Sequence, residues 1–207
     1  MRNELIECEI KPGAMCWYDA DKKLSIIHIP KCGTNSIKKA VPDSFKFIPL
    51  EYILGVKYCA IIRHPLGRWV SGMATNFSNR IHNGHTTYEK VMAMLDEPEA
   101  WEYMLKVCAF EVHTKPQHLF WEPIKGKIRL FDAENRNPFY DYLANHGLEI
   151  EDLHQHNVRN FDKNHYHYLI WSRIDLVVSN NKKYQEKINC YYKKDRMNYV
   201  KIRAKTN

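Results

Sequence analysis

Apolar and polar positions repeat with two periods along this chain, and the switches between them mark its elements. Leu24-Ser25-Ile26-Ile27-His28-Ile29 predicts a strand that ends at Pro30. Tyr58 to Ile62 is short, apolar and β-rich, as a strand buried on both faces is. Lys127 to Phe131 predicts a further strand. Gly33 to Ser36 predicts a tight polar turn, followed by a short basic helix from Ile37 to Val41. Pro65 suits the first turn of a helix, where its missing N–H would have no partner anyway. Beyond it, Leu66, Trp69, Val70, Met73 and Phe77 recur at spacings of three and four, which places them on one stripe. Trp101, Met104, Leu105 and Cys108 repeat that pattern on a later helix. Asn137-Pro138 signals another helix start, with Phe139, Tyr142 and Leu143 inward and Gly147 as the stop. Lys182 to Tyr199 predicts one long terminal helix with Tyr184, Ile188 and Tyr191 on one face. Strands alternating with amphipathic helices predict an α/β protein with a largely parallel sheet. No repeat, low-complexity tract or linker divides the chain, so residues 1–207 are expected to form a single domain.

Composition narrows the class. A chain of 207 residues is long enough to enclose a hydrophobic core without staples. Its 44% hydrophobic and 27% charged residues argue against disorder or a collagen-like repeat. No apolar run approaches the roughly 20 residues that cross a bilayer. The opening MRNELIECEI carries acids where a secretory leader carries a basic head and an apolar stretch. A soluble, intracellular protein of the cytoplasm is therefore expected. Thirty-one Lys and Arg against 24 Asp and Glu leave a net charge of +7, which favours an anionic ligand, polymer or surface. The cysteines Cys8, Cys16, Cys32, Cys59, Cys108 and Cys190 form no C-x-x-C pair. Neither a zinc ribbon nor a thioredoxin-like site is indicated, and reduced, mostly buried thiols are expected. The close pairs His82/His85, His154/His156 and His165/His167 lack a neighbouring Cys or carboxylate set at ligand spacing, so no metal site is expected. The lysine pairs at 38–39, 182–183 and 193–194 fit solvated helix faces or attraction for an anionic acceptor.

Two segments carry candidate chemistry. In His28-Ile29-Pro30-Lys31-Cys32-Gly33-Thr34-Asn35-Ser36-Ile37 a strand ends, a lysine appears, the backbone turns at glycine and three small polar residues open a helix. Backbone N–H groups in such a turn converge, the helix start adds positive potential, and Lys31 brings a full charge, an arrangement suited to a phosphate-like dianion. It is not a Walker A loop, because the lysine precedes the glycine. The plainer reading is a capped βα turn with a solvated lysine. In the second segment Arg63 stands at the carboxyl end of a predicted strand, where ligands of open α/β sheets gather. Ser71 follows eight residues later, two turns into the next helix. Arg63 and Ser71 are placed to grip one terminal phosphate from two sides. Alternatively, Arg63 is a strand-end partner in an ion pair and Ser71 faces solvent.

Taken together, the two segments resemble the 5'-phosphosulfate loop and 3'-phosphate motif of sulfotransferases that use 3'-phosphoadenosine 5'-phosphosulfate (PAPS). The carbohydrate, Golgi-type branch, with its P-K-x-G-x-T-N or H-I-P-K-T-G-G-T-S loop, is the closest in pattern. The matching residues are Pro30-Lys31-Cys32-Gly33-Thr34-Asn35-Ser36, then Arg63-His64-Pro65 with Arg68 and Ser71 at the family offsets. His64 replaces the aspartate of the family's R-D-P. Phe110-Glu111-Val112-His113-Thr114-Lys115-Pro116-Gln117 is similar to the H-[WT]-x-P-Q element of the same branch, and Tyr191-Tyr192-Lys193-Lys194-Asp195 with Tyr199 resembles its closing Y-x-x-D-x-x-x-Y helix.

The resemblance implies a P-loop-like, three-layer α/β domain with a central, mostly parallel sheet flanked by helices. It implies transfer of a sulfuryl group from PAPS to an acceptor hydroxyl, that of a carbohydrate or other small hydroxyl compound, with 3',5'-ADP (PAP) as product. Lys31 would stand at the leaving phosphate oxygen as a catalytic cation. Cys32, Gly33, Thr34, Asn35 and Ser36 would hold the 5'-phosphate, and Arg63 and Ser71 the 3'-phosphate. Fixed cations supply the charge, so no metal is required. His113 is the candidate general base, with Glu111 in reserve, and His28 is expected to pack under the loop. No nucleic acid or membrane partner is expected, and oligomeric state is left open. A nucleotide-dependent kinase on a similar fold would need a lysine after the glycine and a strand aspartate for magnesium. A basic nucleic-acid-binding module would need a compact basic stripe with interleaved aromatics.

Overall fold

The structure, a computed structural model, describes residues 14–109, 112–124, 127–149 and 166–206. Glu111, Cys8, His154, His156 and His165, all singled out above, lie outside the described residues. The described chain packs as two compact units: a sheet unit of residues 14–64, 116–124, 127–149 and 194–206, and a helical unit of 65–109, 112–115 and 166–193. Among the described residues no helix is long and apolar enough to cross a membrane.

The sheet unit holds five strands, β1 (Met15–Asp19), β2 (Leu24–His28), β3 (Lys46–Pro49), β4 (Lys57–Ile62) and β5 (Ile128–Asp132), in the order β3-β1-β2-β4-β5. The architecture is α/β, but the sheet is mixed, whereas a largely parallel one was expected. β2–β4 and β4–β5 are parallel, with Ile26 opposite Cys59 and Ile61 opposite Phe131. β1 pairs antiparallel with both β2 and β3. Only four residues separate β1 from β2, and so short a link permits a hairpin but no crossover. The Asp19 carboxylate fixes that turn, accepting from the Lys22 N–H at 2.9 Å and the Ser44 hydroxyl at 2.7 Å. Burial alone would raise its pKa, yet these hydrogen bonds hold it below the usual carboxylate value.

Helices α1 (Thr34–Ala40) and α5 (Asn137–Ala144) cover one face of the sheet. Ile37, Phe139 and Leu143 from those helices close a core with Trp17, Leu24, Ile26, Cys59, Ile61 and Phe131. The odd-numbered residues of β4 meet this core, as the two-residue period of a strand requires. Gly147 follows α5 at φ +71°, the left-handed stop that the sequence indicated.

The helical unit comprises α2 (Pro65–His82), α3 (Tyr88–Leu95), α4 (Pro98–Val107), α6 (Tyr166–Ser179) and α7 (Lys182–Tyr191). Trp69, Val70, Met73 and Phe77 of α2 pack with Trp101, Met104 and Leu105 of α4 and Ile170, Ile174 and Val178 of α6, as the helical stripe predicted for the first two. The indoles end on backbone carbonyls: Trp69 donates to the Cys108 carbonyl at 2.8 Å and Trp101 to that of Leu95 at 2.9 Å. The terminal helix is not continuous. It breaks at Tyr192 (φ −95°, ψ 26°), after which α8 (Lys193–Thr206) begins. Tyr192 is buried, and its one hydroxyl proton is shared between the carbonyls of Thr114 and Cys108. The predicted face, all of it on α7, holds only in part: Ile188 is buried and Tyr184 stacks on Trp101, but Tyr191 is exposed.

Candidate functional site

The turn after β2 forms from its sequence. Cys32 N–H donates to the Ile29 carbonyl at 3.2 Å, with Pro30 in second place and Lys31 at φ +68° in third. Those are the marks of a type II β-turn, whose third place normally takes glycine. Holding a lysine there costs about 1–2 kcal/mol. Gly33 follows at φ +86° and caps α1 without a side chain of its own. α1 starts at Thr34, three residues earlier than the predicted Ile37, so the polar run 34–36 belongs to the helix's first turn rather than to the loop. Ser36 is buried, and its N–H already donates to the Gly33 carbonyl at 3.1 Å. The N–H groups of Thr34 and Asn35 have no partner within the helix by its geometry.

Gln117 joins this turn to the end of β4. It is fully buried, the first residue of a 3₁₀ turn spanning Gln117–Phe120. Its Oε1 accepts from the Cys32 thiol at 3.2 Å and from the Arg63 N–H at 2.9 Å, while its Nε2–H donates to the Arg63 carbonyl at 2.8 Å. One amide therefore extends the hydrogen bonding of β4 by one residue and fixes the backbone of Arg63 relative to Cys32. Arg63 is half-buried and forms no ion pair among the described residues, unlike the structural alternative considered above.

Asp195 holds Gln117 in turn. This buried carboxylate accepts from the Gln117 N–H at 2.6 Å, the His118 N–H at 2.8 Å and the His118 ring Nδ1 at 2.7 Å. It thereby caps the 3₁₀ turn from a helix almost eighty residues away. An ionised carboxylate only accepts, so the His118 Nδ1 that faces it carries a proton. Asp195, Tyr199 and Arg203 recur every four residues along α8 and lie on one face. Tyr199 donates to Glu134 at 3.1 Å, and Arg203 binds both Asp132 at 3.3 Å and Glu134 at 3.0 Å. Burial, with the neighbouring Asp132 and Glu134 charges, pushes the Tyr199 phenol up to about 12 despite the Arg203 hydrogen bond. His64 packs edge-on against the Tyr199 ring, 5.4 Å between centroids. Burial foremost, and then Arg196, Arg203 and Arg63, hold its pKa below 6.5 against the pull of Glu134.

The sheet unit thus gathers Lys31, Cys32, Gly33, Thr34, Asn35, Ser36 and Arg63, while Ser71 and His113 belong to the helical unit. There the turn carrying His113 presses onto α2: a Cβ on Gly72 would stand 2.5 Å from the His113 carbonyl oxygen. Arg68 reinforces that contact from within, buried, donating to the carbonyls of Lys115 at 2.6 Å and Val112 at 3.3 Å. It is a structural clamp on the 112–115 turn. Ser71, also of α2, is buried. His28 packs between Trp17 and Phe47, with centroids 5.2 and 5.4 Å away.

Sequence reasoning passed over Gln117 as a bridge, His118 as the partner of Asp195, and Arg136 as a neighbour of Gly33. Gln117 and Asp195 sit inside the quoted P-Q and Y-x-x-D elements, so the motifs held part of the signal although the hydrogen bonds could not be read from them, and His118 lies one residue beyond the first. Arg136 belongs to no motif. No family model, no curated protein and no solved structure matches this chain.

Proposed function

We propose that the protein is a PAPS-dependent sulfotransferase acting on a hydroxyl acceptor of carbohydrate or other small-molecule type, on a P-loop-like α/β scaffold. The observation that carries this reading is the Gln117 amide. It hydrogen-bonds the Lys31–Gly33 turn and Arg63, the two segments whose pairing prompted the resemblance, and is itself held by Asp195 of the closing helix. One residue from each of the four motifs that resemble one family, Cys32, Arg63, Gln117 and Asp195, is thereby joined by hydrogen bonds within the sheet unit, at the carboxyl ends of its parallel strands, where ligands of such sheets bind.

In the proposed reaction the acceptor oxygen attacks the sulfur in line with the bond to the 5'-phosphate oxygen. The new O–S bond forms as the old one breaks, the electron pair stays on the phosphate of 3',5'-ADP, and the acceptor proton passes to a base. The protein's part is positioning and charge stabilisation. Lys31 and the turn amides neutralise the leaving phosphate, and Arg63 takes the 3'-phosphate through its planar fork. For Ser71 and His113 the resemblance supplies the roles, a second 3'-phosphate contact and the base.

Calorimetric titration with 3',5'-ADP, with 5'-AMP and ATP–Mg as controls, tests the reading. Binding that requires the 3'-phosphate and no metal is expected. Lys31→Ala and Arg63→Ala each weaken it about 10- to 100-fold, the value of a charged hydrogen bond, whereas His113→Ala spares binding and slows turnover. Preference for ATP–Mg, or equal loss of binding in all three variants, would overturn the assignment.

A further inference from the structure

The face of the sheet turned away from the core of Trp17 and Phe139 holds a cavity. Trp17, Ile26 and Cys59 enter that core, so by the two-residue period of a strand Tyr18, Ser25 and Tyr58 point to the opposite face. There they line a cavity of about 230 Å³ together with Ile48 of β3 and with Glu51 and Ile53 of the link to β4. It lies toward the amino ends of β2 and β4, whereas the Lys31–Gly33 turn and Arg63 follow their carboxyl ends. Its outer wall is tied to the sheet: the Tyr58 hydroxyl accepts from the Ile53 N–H at 2.7 Å and donates to the Glu51 carbonyl at 2.8 Å. A cavity of about 150 Å³ takes up benzene, so this volume suits a single ring with a short arm. Tyrosine and isoleucine side chains supply apolar, aromatic walls. Glu51 is the one charged residue of the lining, exposed and in no ion pair among the described residues. On a chain of net charge +7, a lone acid beside aromatic rings selects for a cation, through the carboxylate and through the ring faces. One ring of this cluster already holds one: Tyr52, stacked on Tyr58 at 6.4 Å between centroids, has the Lys127 ammonium 5.5 Å from its own centroid.

We propose that this cavity binds a small organic amine, a single ring with a short ammonium-bearing arm, its ring against Tyr18 and Tyr58 and its ammonium at Glu51. The site is separate from the Lys31–Gly33 turn and independent of the sulfotransferase reading.

The test titrates the full chain, labelled for amide NMR, with phenethylamine, 2-phenylethanol and phenylacetate, three ligands of similar shape that differ in charge. Saturable amide shifts centred on Tyr18, Ser25 and Tyr58 are expected. Phenethylamine should bind about 5-fold tighter than 2-phenylethanol, the upper value of an exposed ion pair, and phenylacetate should bind weakest. Glu51→Gln should bring the amine and the alcohol to equal affinity. Ile53→Trp, which fills the mouth of the cavity, should weaken all three. Both positions are exposed, so neither change threatens the fold. No saturable shift at the cavity residues, or shifts that Ile53→Trp leaves unchanged, overturns the site. Equal affinity for amine and alcohol in the wild type, or an amine preference that survives Glu51→Gln, overturns the assignment of an amine to it. Neither result bears on the donor reading, which the 3',5'-ADP titration decides separately.

Discussion

The two units are held together by different physics. In the helical unit, Trp69, Met73, Phe77, Trp101 and Met104 fill an apolar core, and the two indoles, the Tyr192 hydroxyl and the buried Arg68 guanidinium all reach backbone carbonyls. In the sheet unit the apolar core on one face is joined at the strand ends by buried polar side chains, Gln117, Asp132 and Asp195, whose partners come from distant parts of the chain. Apolar contacts tolerate any side chain of the right volume, whereas a carboxylate accepting three N–H groups tolerates almost none. The helical unit should therefore respond to lost volume and the sheet unit to lost hydrogen-bonding capacity at constant volume.

The largest effect is expected from volume. Phe77→Ala removes a ring that is 1% exposed and should cost about 3–5 kcal/mol, read from the midpoint of urea unfolding. Met73→Leu nearby keeps the volume and should cost less than about 1.5 kcal/mol. Similar losses from the two would mean that the helical core depends on the shape of each side chain, and the contrast would fail on that side.

Asp195→Asn tests the other side. The change is isosteric, yet an amide has one acceptor oxygen and turns an N–H₂ toward donors that need an acceptor. At least one N–H of Gln117 or His118 is left buried and unpaired, at a cost of about 1–3 kcal/mol. Because Gln117 positions Arg63 and Cys32, affinity for 3',5'-ADP should also fall, while Met73→Leu leaves it unchanged. A neutral Asp195→Asn, in both stability and affinity, would remove the polar network as the feature that distinguishes the sheet unit.

The same contrast explains what was legible in the sequence. Strands β2, β4 and β5, and the stripes of α2 and α4, follow from hydrophobic period, which reports burial against a core. β1 and β3 escaped because Met15–Asp19 is buried or half-buried throughout and Lys46–Pro49 exposed or half-buried throughout, so neither alternates cleanly. The break at Tyr192 escaped because a buried hydroxyl, not a Gly or Pro, ends the helix there. α8 has no apolar stripe: its buried residues Asp195 and Tyr199 share a face with the exposed Arg203, so period analysis is blind to the face that matters. Within the candidate site, residue types at motif spacing located the turn and Arg63. Gln117 as a bridge and Arg136 as a neighbour of Gly33 depend on contacts between residues about 85 and 103 positions apart, which no local pattern encodes.

The smallest effect expected is the most specific to the strand ends. His64 is held below its unfolded value of 6.5 by burial and by the surrounding arginines. Between the folded and unfolded values the unfolded chain binds more protons, so stability rises with pH across that window. The contribution is therefore complete above about pH 6.5 and is lost as pH falls through the lower, folded value. His64→Asn keeps a small polar side chain at the position and removes the titration. The wild type should lose stability more steeply than the variant when urea midpoints are compared from about pH 7.5 down to about pH 5. Parallel slopes would mean that the ring is as well solvated as in the unfolded chain, and that the polar layer around Tyr199 does not exclude water from the residue next to Arg63.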